Sequence, residues 1–210
     1  MVPLLKPELD QYIRDLLPAR DPVLAEMEAF AAEHDVPIVG PAVGTLLQIL
    51  ARSIGADRVF EMGSAIGYST AFFAQAVGRG GQVFYTDGDQ GNADRAHGYL
   101  ERMDMLDRVT LRVGDAVASL EATIGYFDVI FIDVDKEGYP QALQAAAPRV
   151  RRGGYLLADN VLWSGKVVDG RLRDAATEGI RVFNQTLFSL QEFRTVIVPL
   201  RDGVAIARRE

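Results

Sequence analysis

Polar residues with chemical potential recur in short segments along this 210-residue chain, each directly after an apolar run. The first is Glu61-Met62-Gly63-Ser64-Ala65-Ile66-Gly67-Tyr68-Ser69-Thr70. Gly63 and Gly67 allow a tight turn and a close backbone approach to a ligand. Their G-x-x-x-G spacing differs from the G-x-G-x-x-G of dinucleotide binders, which seat a pyrophosphate on a helix N-terminus. A carboxylate just ahead of the glycines would repel a diphosphate, and it suits a ligand carrying ammonium and sulfonium charge. Asp87 follows the next apolar run, about 20 residues on, where a carboxylate can accept both hydroxyls of a ribose. Asp89 behind it reads as a helix cap. In Gly114-Asp115-Ala116, Asp115 either accepts from the exocyclic amine of a nucleobase or caps the helix that follows.

Two further segments carry a different chemistry. Asp133-Val134-Asp135-Lys136 and Asp159-Asn160 end successive apolar runs, so Asp133, Asp159 and Asn160 form an all-oxygen set. Hard divalent cations such as Mg²⁺, Mn²⁺ or Ca²⁺ prefer such ligands. Without a cation, grouped carboxylates raise one another's pKa. Lys136 is placed to act as a general base or as a charge partner over the same site. Trp163 offers either packing or a flat surface for a planar substrate. His34 and His97 have no Ser or Cys partner that would form a nucleophilic set, and Met103 and Met105 read as fillers of core gaps.

The elements that must position these residues follow from the pattern of apolar runs. Strands are expected at Arg58–Met62, Gln82–Thr86, Val109–Val113, Phe127–Ile132 and Tyr155–Ala158. Helices are expected between them at Tyr68–Val77, Asn92–Met103, Ala116–Ile124 and Tyr139–Val150. Such alternation implies right-handed crossovers and a parallel sheet covered on both faces. A helix near Thr177–Leu190 precedes strands at Arg194–Leu200 and Val204–Ala207, and the short Arg201-Asp202-Gly203 link makes these an antiparallel hairpin. Ahead of the sheet, Asp21-Pro22 opens a helix through Leu24, Met27 and Phe30. Another follows Pro41, with Leu46, Leu47, Ile49 and Leu50 on its buried side. The expected fold is α/β: a doubly wound, mostly parallel seven-stranded sheet with a C-terminal antiparallel hairpin and extra N-terminal helices. One domain spans 1–210, with helices over 1–56 and the Rossmann-like core over 57–210. Ligands of such sheets bind beyond the carboxyl ends of the strands, where the segments above lie.

The bulk properties narrow the classes. A net charge of −7 opposes nucleic-acid or anionic-membrane binding. The absence of cysteine removes disulfides, thiolate metal sites and cysteine nucleophiles, and fits a reducing compartment. The first residues lack a signal peptide, and no apolar run approaches the ~18 residues of a membrane span, so the expectation is a cytoplasmic protein.

The chain resembles the caffeoyl-CoA / catechol O-methyltransferase-like family, which includes small bacterial enzymes. The resemblance rests on Val59 to Thr70, Phe131-Ile132-Asp133-Val134-Asp135-Lys136 with Tyr139, and Gly153-Gly154-Tyr155. It continues through Asp159-Asn160-Val161-Leu162-Trp163-Ser164-Gly165, Phe183-Asn184 and Leu200 to Ala205. It implies a class I methyltransferase that uses S-adenosylmethionine and a divalent metal to methylate a hydroxyl of a catechol-like or other phenolic molecule. The candidate cofactor residues are Glu61, Gly63, Gly67, Ser69, Asp87, Asp115, Ala116 and Asp133. The implied metal ligands are Asp133, Asp159 and Asn160, with Lys136 as base beside Asp133. Trp163 and Val39 fall on the substrate side, Val39 standing where plant members place a hydroxyl residue near the metal. A homodimer is also implied. Gly88 replaces the aliphatic residue usual after Asp87, and 166–173 lacks a pattern for CoA thioesters. Two rival readings are a nicotinamide-dependent oxidoreductase, opposed by the missing G-x-G-x-x-G, and a non-catalytic nucleoside-binding protein, opposed by the metal set and Lys136.

Overall fold

The computed structural model describes residues 6–210. Three helices come first: α1 (Pro7–Leu16), α2 (Pro22–Glu33) and α3 (Gly40–Ser53). The alternating region follows as β1 (Arg58–Met62), α4 (Tyr68–Val77), β2 (Gln82–Asp87), α5 (Gln90–Arg102), β3 (Val109–Val113), α6 (Ala116–Glu121), β4 (Phe127–Ile132), α7 (Tyr139–Ala146) and β5 (Val150–Ala158). The chain closes with α8 (Ala175–Ser189), β6 (Phe193–Val198) and β7 (Val204–Arg209). The seven strands form one sheet in the order β3-β2-β1-β4-β5-β7-β6. The first five are parallel, and β7 inserts antiparallel between β5 and β6. The strand order reverses between β1 and β4, which is where sheets of this kind open a crevice for ligands.

Alternation along the strands explains the layers. Val59, Val129 and Phe131 face one core with α2, α3, α4 and α5, while Phe60, Ile130 and Ile132 face a second core with α7 and α8. Every residue of β4 is buried, as expected for a central strand covered on both faces. Asp21 caps α2 by accepting from the Val23 N–H at 2.8 Å, with Pro22 in the first turn.

Three expectations about boundaries and burial are corrected. Ile49 is 57% exposed, because α3 packs through Val43, Leu47 and Ala51, a stripe four residues apart that leaves Ile49 outside. Strand β5 begins at Val150 rather than Tyr155, since Gly153 and Gly154 carry no strand propensity yet lie within it, and the helix expected over Tyr139–Val150 accordingly ends at Ala146. Helix α8 starts at Ala175, set by Asp174, whose carboxylate accepts from the Thr177 N–H at 3.0 Å. Helix α1, not delimited from the sequence, buries none of its residues, so it gave no apolar stripe to read.

Candidate active site

A cavity of about 1440 Å³ lies along the carboxyl ends of the parallel strands. Its wall includes Gly63, Ser69, Asp87, Asp115, Ala116, Asp133, Lys136, Asp159, Asn160, Trp163 and Val39, so most residues singled out from the sequence meet in one place.

The turn after β1 is held by its own bonds. The N–H groups of Gly63 and Ser64 donate to the Thr86 carbonyl at 3.2 and 2.9 Å, and the Gly67 N–H donates to the Ser64 carbonyl at 2.8 Å. The Tyr85 hydroxyl donates to the Ala65 carbonyl at 2.7 Å. Gly63 sits at φ +85°, and an added Cβ would fall 2.3 Å from the Asp133 carbonyl oxygen. Gly67, at φ +83°, caps α4 and faces α5, where an added Cβ would fall 2.9 Å from the Cβ of Ala96. Gly67 therefore serves helix packing, and it is not on the cavity wall.

Glu61 is also off the wall. It is fully buried beneath the turn, where the Thr70 hydroxyl donates to Oε2 and Oε1 has no partner. Burial pushes its carboxyl up to about 7 against the stabilising hydroxyls of Ser69, Thr70 and Ser64. Asp87 does reach the cavity, but its carboxylate already accepts from the N–H groups of Ala65 and Asp89, both at 2.9 Å, and from Asn92 Nδ2 at 3.1 Å. Of the roughly four lone-pair positions of a carboxylate, about one stays open on the cavity side. Asp89 and Asp115 cap α5 and α6 by accepting from Asn92 N–H at 2.8 Å and Ala118 N–H at 2.7 Å. Asp115 nonetheless lines the cavity beside Ala116, so capping and ligand contact are compatible there.

On the other side, the strand ladder carries on to the acidic residues: Asp133 N–H donates to Met62 O at 2.8 Å and Asp159 N–H to Ile132 O at 3.2 Å. Lys136 Nζ donates to Asp133 Oδ1 at 2.8 Å and to the Tyr139 hydroxyl at 3.0 Å. That hydroxyl in turn donates to the Asp159 carbonyl at 2.8 Å, which ties α7 to both acidic strand ends. Asp159 is 2% exposed and its Oδ1 has no hydrogen-bond partner. Burial, then the charge of Asp133, raises its carboxyl to about 7. Among the described residues no three His, Cys, Asp or Glu side chains gather as a metal site. The oxygen set here is two carboxylates and the amide of Asn160, a residue in the left-handed region at φ +55°. Trp163 lines the cavity with Nε1 buried and unpartnered, and Lys166 Nζ lies 4.9 Å from its ring centroid.

The sequence reading gave no role to Arg201 and Asp202, which the hairpin turn brings to this site. Asp202 is buried, accepts from the Ser164 N–H at 2.5 Å, and leaves Oδ2 without a partner. The Leu162 N–H donates to the Asp202 carbonyl at 2.9 Å and the Val161 N–H to that of Gly203 at 3.0 Å, so the turn grips the loop after β5. A polar turn between two strands looks ordinary in sequence; only the topology shows that it closes the cavity.

The fold and the position of this cavity define a class I methyltransferase. Residues 18–210 match the family model described as O-methyltransferase. The chain is 34% identical over 210 residues to a catechol O-methyltransferase of Niastella koreensis, covering 95% of each chain. Among solved structures it is similar to the O-methyltransferase from Bacillus cereus in complex with SAH, at TM-score 0.88 and 31% identity, with 97% of each chain covered. It is likewise similar to the O-methyltransferase TomG from Streptomyces achromogenes, solved with SAM, at TM-score 0.88 and 27% identity, with 96% of each chain covered. The chain belongs to this O-methyltransferase family.

Proposed function

We propose that the enzyme transfers the methyl group of S-adenosylmethionine to a hydroxyl of a catechol-like or other phenolic small molecule, with help from a divalent cation. The observation that carries this reading is the pair of carboxylates at adjoining strand ends, Asp133 and Asp159, lining the same cavity as the glycine turn. The buried, unpartnered Oδ1 of Asp159 and the crowding of its carboxyl by Asp133 fit a set of oxygen ligands for a hard cation. Asp133, Asp159 and Asn160 would hold the cation. When bound, it supplies Lewis acidity that lowers the pKa of a phenolic hydroxyl.

The chain's own residues do the rest. The turn from Gly63 to Ser69 is held by its own hydrogen bonds and by Asp87, and with Asp115 and Ala116 it would seat the cofactor for an aligned approach of the two substrates. Such alignment is worth up to ~7–11 kcal/mol. Trp163 and Val39 bound the acceptor side of the cavity. Lys136, after giving up a proton to become a neutral amine, takes the hydroxyl proton while the acceptor oxygen attacks the sulfonium methyl: a C–O bond forms, the S–C bond breaks, and a neutral thioether leaves. The protein is read as a homodimer working in the cytoplasm; among the described residues, no helix is long and apolar enough to cross a membrane.

The test is a methyl-transfer screen with labelled S-adenosylmethionine over catechols, flavonoids and acyl-CoA phenolics, with and without Mg²⁺. Transfer to a vicinal diol that stops with EDTA and returns with Mg²⁺ is expected. Full activity after thorough metal removal would overturn the role of the cation.

A further inference from the structure

We infer that Arg201 is a carboxylate-recognition residue on the acceptor side of the cavity, and that the preferred acceptor is a phenol bearing an acidic group. This rests on the phenolic methyl-transfer reading above. The hairpin turn from Leu200 to Gly203 holds Arg201 at φ +51°, where glycine would be unstrained and a side chain is uncommon. From there the guanidinium crosses to the segment before α3, donating from Nη1 to the Ile38 carbonyl at 2.7 Å. An added Cβ on Gly40 would lie only 3.2 Å from Nη1, so the absence of a side chain there makes the passage. One bond to the chain fixes the head group and uses one of its five N–H donors.

The charge balance of the cavity sets Arg201 apart. Among the described residues, three cationic side chains line it: Arg14, Lys136 and Arg201. Arg14 is paired with Asp10 at 2.5 Å and Lys136 with Asp133 at 2.8 Å. Arg201 has no carboxylate within 4.0 Å among the described residues. It lines the same cavity as Asp159, and its partner Ile38 precedes Val39 on that wall. A planar guanidinium matches a carboxylate through two parallel hydrogen bonds, a geometry an ammonium cannot copy. Two carboxylates could meet it: one on the acceptor, or that of the methionine half of the cofactor. The acceptor is favoured because the turn carrying Arg201 is bonded to the Val161–Ser164 loop, on the Trp163 side. The cofactor candidates from Gly63 to Ala116 come instead from the ends of β1, β2 and β3.

The experiment compares 3,4-dihydroxybenzoate with its neutral isostere 3,4-dihydroxybenzamide in the wild-type enzyme with Mg²⁺, in Arg201→Gly and in Arg201→Lys. Glycine suits the left-handed backbone, so Arg201→Gly retains the fold, checked by thermal melting. In wild type the acid has the higher kcat/KM. In Arg201→Gly the acid-over-amide preference falls by about 10–100-fold, mainly through KM, as expected for losing a charge-assisted pair. Arg201→Lys restores part of it. An unchanged ratio overturns the proposal and leaves the methyl-transfer reading intact. A weaker calorimetric Kd for S-adenosylmethionine with no change in the ratio assigns the guanidinium to the cofactor and also overturns it. A wild type inactive on both compounds sinks both readings together.

Discussion

A Cβ on Gly63 would stand 2.3 Å from the carbonyl oxygen of Asp133, closer than any non-bonded carbon sits to oxygen. The glycine turn after β1 and the acidic strand end therefore touch backbone to backbone, with no flexible side chain to give way. Gly63→Ala must also adopt φ +85°. Strain of ~1–3 kcal/mol from the backbone adds to a comparable penalty for overpacking. The expected outcome is a large drop in Tm together with weakened S-adenosylmethionine binding. Gly88→Ala is the control: nothing lies within 4 Å of its added Cβ, and its φ is unremarkable. A Gly63→Ala protein as stable as the Gly88→Ala protein would contradict the contact.

Lys136 has two possible duties, and one substitution separates them. Its Nζ pairs with Asp133 Oδ1 at 2.8 Å, which serves a charge partner as well as a base. Arginine keeps the charge but does not give up its proton in a protein. Lys136→Met and Lys136→Arg should both lower kcat by ~10²–10⁴-fold, the range of general base catalysis, with little change in the Kd of the cofactor. If Lys136→Arg turns over at the wild-type rate, Lys136 is a charge partner and the proton leaves another way.

The buried carboxyl of Glu61 makes stability depend on pH in a definite direction. Its pKa is about 7 in the fold, against the ordinary value of 4.5. Between those values the native state binds more protons than the unfolded state, so stability falls as pH rises through that window. The full difference is of order 3 kcal/mol. Glu61→Gln should melt several degrees above wild type at pH 8, with the gap narrowing toward pH 5. Melting curves offset equally at both pH values would rule out the titration of Glu61 as the cause.

Asp202 offers an optical test, because Trp163 is the only tryptophan in the chain. Asp202→Ala removes the acceptor of the Ser164 N–H in a stretch where Trp163 and Ser164 both have positive φ, +46° and +53°. The fold should lose about 1–3 kcal/mol, the cost of a stranded buried donor. The emission of Trp163 should move to the red as the loop opens to water. An emission spectrum matching wild type would show that the loop holds without Asp202.

How far the chain discloses itself varies by element. The seven strands, the antiparallel hairpin and the grouping of Asp133, Asp159 and Asn160 on one cavity were legible because apolar runs mark the strands and strand ends mark the crevice; the order of the strands in the sheet was not. The family membership was legible too, in the Asp133–Lys136 and Asp159–Gly165 segments. Glu61 and Gly67 were read as cofactor residues; one lies buried beneath the turn and the other against Ala96, off the cavity wall, because sequence shows that a turn is tight without showing which side is open. Asp115 was left between cap and ligand contact, and it caps α6 while lining the cavity. Arg201 and Asp202 were missed as individuals. Their partners, Ile38 and Ser164, are 163 and 38 positions away in the chain, and no local pattern encodes such pairings.

The position of β4, between β1 and β5, has a consequence for how this enzyme can diversify. Everything assigned to the cofactor comes from one flank of that strand or from its tip, while Trp163, Arg201 and Val39 come from the other flank and from the N-terminal segment. On the site proposed above, heritable change in the loop after β5, the hairpin turn or the first helices would alter which acceptor is admitted and leave the proposed seat of the methyl donor in place. Lineages that inherit this layout are free to explore new acceptors one segment at a time. The tips of β4 and β5, where Asp133, Asp159 and Asn160 would hold the cation, are closed to such drift.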